Sequence, residues 1–161
     1  MKAIVTGSFD PMTIGHCELV RLASKKFDEI YVVALINANK KHMFTLEQRK
    51  EIIKLSTENL PNVIADAYDG LTVDYMHNNG ITHIIRGIKN ERELDYENNL
   101  AKIMKQFDKN FETIFFECDE KYNGISSTLV RSLLNNNESI DRYVNKNALE
   151  KILEYFHTNK N

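Results

Sequence analysis

Glycine, serine and histidine residues with the properties of a phosphate site follow the first apolar run of the chain. Gly7 and Ser8 come directly after that run, and Gly15 and His16 stand at the predicted start of the next helix. Glycine lets a phosphate approach backbone N–H groups, serine adds a hydroxyl donor, and a helix N-terminus favours an anion. Taken alone, each half is better explained by structure: the first as a glycine turn, the second as a capping Thr13 followed by a surface histidine. Neither GxxxxGK[ST] nor GxGxxG is present.

Three later segments carry groups of the same kind. Lys40 and Lys41 follow the second apolar run, Arg86 stands at the end of the fourth, and hydroxyl residues occupy positions 126–128. A guanidinium can bind a phosphate through two N–H groups, and hydroxyls at a helix start add donors to the backbone N–H groups there. One helix cap needs only one hydroxyl, so the surplus indicates an anion site.

Structural alternatives remain open for several of these residues. The two lysines fit a solvated loop equally well, and Arg86 could instead pair with an acid such as Glu93. Glu97 lies on a predicted helix, where a solvated acid is the favoured interpretation. The sequence shows no paired carboxylates, no Cys/His nucleophile and no metal-ligand cluster that would indicate a different chemistry. Together the segments indicate a reaction at phosphorus, in which a protein mainly positions groups and neutralises charge.

The elements that must position these residues alternate between strands and helices. Short apolar, β-branched runs predict strands, and segments with a 3.6-residue apolar period predict helices. The sequence TLEQ at residues 45–48 predicts a capping box at a helix start. The predicted strands are residues 2–6, 29–36, 63–67, 81–85 and 113–117, and the predicted helices are residues 14–27, 45–59, 72–79, 91–107, 126–134 and 148–156.

This alternation predicts an α/β fold: a single Rossmann-like domain with a five-stranded parallel sheet and helices on both faces. We expect one domain over residues 1–161, with a C-terminal helix from about residue 145. Ligands of such sheets bind beyond the carboxyl ends of the strands, where the candidate residues cluster. No apolar stretch approaches the length of a membrane span and no signal-peptide core is visible, so we expect a cytoplasmic protein. The net charge of −2 argues against nucleic acid as a partner.

Three motifs together resemble a known superfamily. GSFDP, TIGH and ISSTLVR are similar to the motifs of the nucleotidyltransferases that carry T/HxGH and ISSTxxR. Within that superfamily, KKHMFTLEQR, RGIK with the later DYE, and the chain length resemble the bacterial phosphopantetheine adenylyltransferases. The resemblance extends from residue 2 to about residue 155.

The resemblance implies transfer of the adenylyl group of ATP to 4′-phosphopantetheine, giving dephospho-coenzyme A and pyrophosphate. It implies direct in-line attack without a covalent enzyme intermediate, with Mg²⁺ accompanying ATP and no metal ligand assigned on the protein. It further implies a homo-oligomer, expected to be a hexamer, and coenzyme A as a candidate feedback inhibitor.

Residue roles also follow from the resemblance. The expected catalytic residues are His16, which would donate to the α-phosphate, Lys40 and Arg86. Ser8, Lys40, Thr72 and Arg86 would bind the acceptor substrate. The residues expected to contact ATP are Ser8, Phe9, His16, Gly87, Ile88, Lys89, Glu97, Tyr122, Asn123, Gly124, Ile125, Ser126, Ser127 and Thr128, with Ser126 and Ser127 reaching the β- and γ-phosphates.

Some positions depart from the family pattern, and other functions stay open. Thr6 stands where proline is usual, Ser8 where threonine is commoner, Thr72 where an apolar residue is usual, and Lys89 where arginine is frequent. Lysine keeps the charge at that position but loses bidentate contact. The alternatives are transfer onto nicotinamide mononucleotide, or onto glycerol 3-phosphate with CTP; a non-catalytic sensor of ATP or coenzyme A; and a nucleic-acid-binding α/β protein.

Overall fold

The computed structural model describes residues 1–160 and contains five parallel strands in the order β3-β2-β1-β4-β5. The expected fold class is therefore confirmed. The strands are β1 Lys2–Gly7, β2 Glu29–Leu35, β3 Val63–Tyr68, β4 His83–Ile88 and β5 Glu112–Glu117. The helices are α1 Ile14–Ser24, α2 Leu46–Ser56, α3 Thr72–Asn79, α4 Glu91–Phe107, α5 Ser127–Asn135 and α6 Lys146–Lys160, with a short 3₁₀ turn at Glu120–Tyr122.

Successive strand residues point to opposite sides of the sheet, so apolar strands present two apolar faces. Helices cover both faces. Ala3 and Val5 of β1 join a cluster that also includes Ile52 of α2 and Ile152 of α6. Ile4, between them, joins a second cluster on the other face. This second cluster also contains Tyr75 and Met76 of α3, with Ile81 and Phe111 from the segments that precede β4 and β5. The near-continuous apolar character of the strands follows from this burial on both faces.

The strand order reverses between β1 and β4. The chain runs outward from β1 through β2 to β3 and then returns to place β4 on the other side of β1. Backbone pairing between β1 and β4 involves only Ala3 with His83 and Ile4 with Ile84, whereas β1 pairs with β2 along all six of its residues. The carboxyl ends of β1 and β4 therefore part from one another, which opens a crevice at the position where this class of sheet binds ligands.

The fourth strand lies further along the chain than the sequence predicts, at residues 83–88 rather than 81–85. Gly80 ends α3 in the left-handed conformation, with φ of 65°, and the N–H of Ile81 donates to the carbonyl of Met76. This is a Schellman ending, so buried Ile81 closes the helix instead of starting the strand. As a result, Arg86 lies within β4, paired with Phe115 of β5, and not after the strand.

Two helix starts have the capping geometry that fixes their direction. Thr45 accepts from the N–H of Gln48, and the Gln48 side chain accepts from the N–H of Thr45, as the sequence predicts. Thr13 and His16 form the corresponding pair at the start of α1. Among residues 1–160, no helix is both long enough and apolar enough to span a bilayer.

Candidate active site

A cavity of about 650 Å³ opens at the parted ends of β1 and β4. Two helices, α1 and α5, begin at its wall and direct their N-termini toward it. The sequence-predicted residues that line it are Ser8, Phe9, His16, Lys40, Arg86, Gly87, Lys89, Tyr122, Ile125, Ser127 and Thr128. Thr72 and Glu97 line a second, smaller cavity, whereas Ile88, Asn123, Gly124 and Ser126 line neither.

His16 is held in one orientation by the residue that caps its own helix. The N–H of Thr13 donates to Nδ1 of His16 at 3.0 Å, so Nδ1 carries no proton. Burial of the ring, with a smaller contribution from the positive charge of Lys89, lowers the pKa of His16 to about 4. The imidazole is consequently neutral near pH 7, with its proton on Nε2. His16 can therefore donate a hydrogen bond into the cavity but carries no positive charge there.

The aromatic ring of Phe9 packs against the imidazole of His16. Its side chain is only 3% exposed, and its ring meets that of His16 edge-on with a centroid distance of 5.1 Å. The backbone of Phe9 has φ of 46°, a left-handed conformation that is strained for an aromatic residue. Such strain at the turn after β1 is typical of a site where the backbone is shaped for a ligand.

The hydroxyl residues at the start of α5 have partners within the protein. Ser126 caps the helix by accepting from the N–H of Leu129 at 3.1 Å, and the Ser127 hydroxyl donates to the carbonyl of Pro11 at 2.7 Å. Thr128 accepts from Arg131 at 3.2 Å. The surplus of hydroxyls, which the sequence indicates as anion donors, is thus partly used to join α5 to the segment before α1. The helix N-terminus itself still faces the cavity.

Arg86 lies in the wall between the two cavities and is paired with Glu97. Its Nε and Nη2 atoms donate to the two carboxylate oxygens of Glu97 at 2.9 and 2.8 Å. Glu97 is only 8% exposed, so the expectation of a solvated helix acid is wrong. The acid that pairs with Arg86 is also not Glu93, which accepts from the backbone N–H of Lys89 instead.

Gly87 and Lys89 form the β4 side of the cavity. A Cβ atom at position 87 would lie 2.9 Å from Sγ of Cys118 and 3.4 Å from a methyl group of Leu19, so a larger residue would have to displace them. Lys89 lies close enough to His16 to contribute to lowering its pKa. The carboxyl end of β4 therefore combines exposed backbone at Gly87, which has no side chain, with the positive charge of Lys89.

The cavity is strongly cationic although the chain carries a net charge of −2. Lys40, Lys41, Arg86, Lys89 and Arg131 all line it. Among the described lining residues, Asp10 is the one carboxylate. A low-dielectric cleft with this charge distribution attracts polyphosphate anions.

Sequence reasoning assigned no role to several residues of this wall, among them Asp10, His42 and Arg131. Asp10 and Arg131 lie inside the segments GSFDP and ISSTLVR, in which the sequence predicts phosphate-binding roles for Ser8 and for residues 126–128 only. The positions of the two residues within those motifs were the available signal. Neither composition nor periodicity distinguishes them from surface charges.

The residues present do not form a protein cage for a metal ion. Within residues 1–160, no group of three or more His, Cys, Asp or Glu side chains is placed to hold one. Asp10, the carboxylate in the cavity wall, already accepts hydrogen bonds from two backbone N–H groups. Mg²⁺ prefers oxygen ligands and retains water, and these residues alone do not supply a site for it.

A parallel α/β sheet with a cationic cavity at its switch point, two helix N-termini and a neutral histidine donor is the architecture of a nucleotide-handling enzyme. Residues 4–133 match the model of the Cytidylyltransferase-like family, and the chain belongs to that family. The match supports the nucleotidyltransferase superfamily expected from the motifs.

A solved structure has a similar fold. It is a protein of Vibrio parahaemolyticus described as a candidate nicotinate-nucleotide adenylyltransferase. The two chains are 18% identical, the alignment covers 94% of this chain and 97% of the other, and the TM-score is 0.64. At this identity the likeness is one of fold.

Proposed function

We propose that this protein transfers the adenylyl group of ATP to 4′-phosphopantetheine, giving dephospho-coenzyme A and pyrophosphate. The observation that carries the proposal is the neutral His16, whose Nε2–H is available to a cavity lined by Lys40, Lys89 and Arg131. Membership of the Cytidylyltransferase-like family supports nucleotidyl transfer. The RGIK and DYE segments, which resemble those of the phosphopantetheine adenylyltransferases, support this acceptor.

The reaction requires no covalent enzyme intermediate. An oxygen of the acceptor phosphate forms a bond to the α-phosphorus of ATP while the bond from that phosphorus to the leaving pyrophosphate breaks. His16 would donate from Nε2 to a nonbridging α-phosphate oxygen, and Lys40 would neutralise charge at the reacting centre. Because Thr13 holds His16 in place before the reaction, this donor stabilises the developing charge with little reorganisation. The acceptor is already an anion, so no general base is needed.

The leaving pyrophosphate would lie toward α5. The N-terminus of that helix and the guanidinium of Arg131 face the cavity, and both favour negative charge. Mg²⁺ would arrive with ATP and screen the same phosphates. The adenine and ribose would lie along Gly87, Ile88 and Lys89, with Tyr122 to Thr128 around the nucleotide, as the resemblance implies.

The second cavity supports an acceptor with an extended arm. Its volume is about 170 Å³, and it is bounded largely by apolar side chains of α4, including Leu100, Ile103 and Met104. Arg86 lines both cavities, and Thr6 and Thr72 add hydroxyls to the smaller one. An acceptor with its phosphate at Arg86 would thus extend an arm of methylene, amide and hydroxyl groups into the second cavity. Glycerol 3-phosphate has no such arm.

The homo-oligomer implied by the resemblance has a candidate contact surface on α4. Tyr96, Ile103 and Phe107 are 63%, 48% and 61% exposed and recur at helical spacing along one stripe. Exposed apolar groups in this arrangement commonly mark a protein contact. Light scattering of the protein and of the Phe107→Ser variant would test it: a large assembly that falls to a smaller one supports the contact, and a monomeric wild type excludes it.

A donor and acceptor panel tests the proposed reaction. Pyrophosphate release would be followed with Mg-ATP or Mg-CTP, each combined with 4′-phosphopantetheine, nicotinamide mononucleotide, nicotinate mononucleotide or glycerol 3-phosphate. We expect fast release only with ATP and 4′-phosphopantetheine. Release with another pair would retain nucleotidyl transfer and replace the acceptor. Silence of folded, ATP-binding protein in every combination would favour a sensor.

A further inference from the structure

The loop from Ile36 to Met43 carries the two lysines of the cavity. It follows β2 and ends at Phe44, whose side chain is only 1% exposed in the core. Thr45 then caps α2. Phe44 therefore anchors the C-terminal end of the loop that carries Lys40 and Lys41.

Two buried ionic side chains hold the backbone at this point. Asp10 is 2% exposed, and its carboxylate accepts from the N–H of Met43 at 2.8 Å and from the N–H of Phe44 at 2.9 Å. Arg49, 1% exposed, donates from Nε to the carbonyl of Phe44 at 3.1 Å. Both backbone polar groups of Phe44 are thus bound by charged side chains, and such bonds are stronger than neutral ones.

The same two residues connect the loop to the segment that precedes His16. Arg49 also donates from Nη1 to the carbonyl of Ser8 at 2.7 Å, and Asp10 is itself part of that segment. The backbone carbonyl of Asp10 accepts from Arg131 at 2.8 Å. Asp10 therefore joins the His16 segment, the lysine loop and α5.

A carboxylate in this wall disfavours an anionic ligand. It lies in a cavity whose other charged lining groups, among the residues described, are cationic, and a phosphate bound there would be repelled by it. Burial of a carboxylate is also costly unless hydrogen bonds and opposite charges compensate. Here Met43 and Phe44 supply the hydrogen bonds, and Arg49 and Arg131 supply positive charge. With its oxygens occupied in this way, Asp10 suits a structural link better than contact with substrate.

We infer that Asp10 is a positioning residue that sets where Lys40 stands relative to His16 by fixing the lysine loop to the His16 segment. This inference rests on the proposed function, in which both residues act on the reacting phosphate. Asp10 acts on the reaction through the loop backbone. The two N–H groups bind different oxygens of Asp10, so an asparagine in the same orientation accepts from one of them and presents its NH₂ group to the other.

A double-mutant cycle distinguishes positioning from a general effect on folding. We expect Asp10→Asn to lower kcat at least tenfold, and Lys40→Ala to lower it by more. If Asp10 acts by placing Lys40, the double variant should be no slower than Lys40→Ala within about threefold, because coupled residues are non-additive. The inference would be overturned if the kcat losses of the two single variants multiplied in the double variant, or if Asp10→Asn left kcat unchanged. Asp66→Asn is the matched control, since Asp66 also accepts a backbone N–H, from Ala67, yet lies outside the cavity.

Hydrogen exchange of the substrate-free protein provides a readout that does not depend on the proposed reaction. The Met43 and Phe44 amides should be protected in the wild type and should exchange at least tenfold faster in Asp10→Asn, while amides of β2 stay unchanged. Unprotected wild-type amides would overturn the inference even if the enzyme is active. Should Asp10→Asn not fold, Arg49→Lys loosens the Phe44 carbonyl and enters the same cycle. If no acceptor supports turnover, the proposed function fails, and the affinity for inorganic pyrophosphate replaces kcat in the cycle.

Discussion

Arg86 and Glu97 form a bidentate ion pair, with N–O distances of 2.9 and 2.8 Å, in the wall shared by the two cavities. The pair joins β4 to α4 and orients the guanidinium that would meet the acceptor phosphate. Glu97 is the more deeply buried partner, with 11% of its side chain exposed against 33% for Arg86. Loss of Arg86 would therefore leave a buried negative charge beside an anionic substrate.

This asymmetry predicts a rescue between the two positions. Arg86→Ala should lower kcat/KM for the acceptor by about 100-fold, because a charge-assisted contact is lost and Glu97 becomes unpaired. Adding Glu97→Gln should recover about tenfold by removing the repulsive charge. Steady-state kinetics of both single variants and of the double variant measure this. A double variant slower than Arg86→Ala would refute the proposed arrangement.

His16→Ala should lower kcat by two to three orders of magnitude, because a fixed donor to the transition state is worth about that much. The affinity for ATP should change less than tenfold, since the lysines and helix N-termini remain. Single-turnover rates and ATP binding by calorimetry separate the two quantities. Near-wild-type turnover would remove His16 from the proposed role.

The lowered pKa of His16 predicts a pH dependence of stability. The imidazole titrates near 6.5 when unfolded and at about 4 when folded, so between these values the unfolded chain binds more protons. Relative to His16→Asn, the wild type should therefore lose free energy of unfolding as the pH falls from 6.5 to 4. Urea unfolding of both proteins across this range measures the difference. A relative gain on acidification would mean that the folded imidazole is protonated.

Ser127→Ala should affect catalysis less than His16→Ala. The Ser127 hydroxyl already donates to the carbonyl of Pro11, so its removal loses a link between α5 and the segment before α1. We expect a loss of about 1 kcal/mol in the free energy of unfolding and a kcat reduction well below that of His16→Ala. Thermal unfolding and kinetics of the two variants test this ranking. A larger kcat loss for Ser127→Ala would show that the hydroxyl acts on the substrate directly.

The fold could be predicted because apolar periodicity and helix caps are local features. The capping box at Thr45 and Gln48 and the alternation of strands and helices were visible in the sequence, and the structure confirms them. The boundary of β4 was missed because the Schellman ending at Gly80 and Ile81 uses an apolar residue that by itself suggests a strand. Turn geometry decided that boundary.

The sequence predicted some residues of the site and missed the contacts between others. Ser8, directly after β1, and Lys40, in the loop after β2, were found because parallel strands bring their carboxyl ends together. Pairing over long sequence distances was not visible: neither the Glu97 partner of Arg86 nor the Asp10 bonds to Met43 and Phe44 follow from spacing. The charge state of His16 depends on burial by distant segments, so the sequence indicated its position but not its tautomer.

The most direct test of the proposed activity is a competition in one vessel. Purified protein with Mg-ATP would receive equal concentrations of 4′-phosphopantetheine and nicotinate mononucleotide, and the adenylylated products would be resolved by mass spectrometry. The product ratio equals the ratio of kcat/KM values and is independent of assay sensitivity to either substrate. The proposed function predicts dephospho-coenzyme A in excess of about 1,000-fold. A product mixture dominated by the dinucleotide would contradict it and assign the cavity to a nucleotide acceptor.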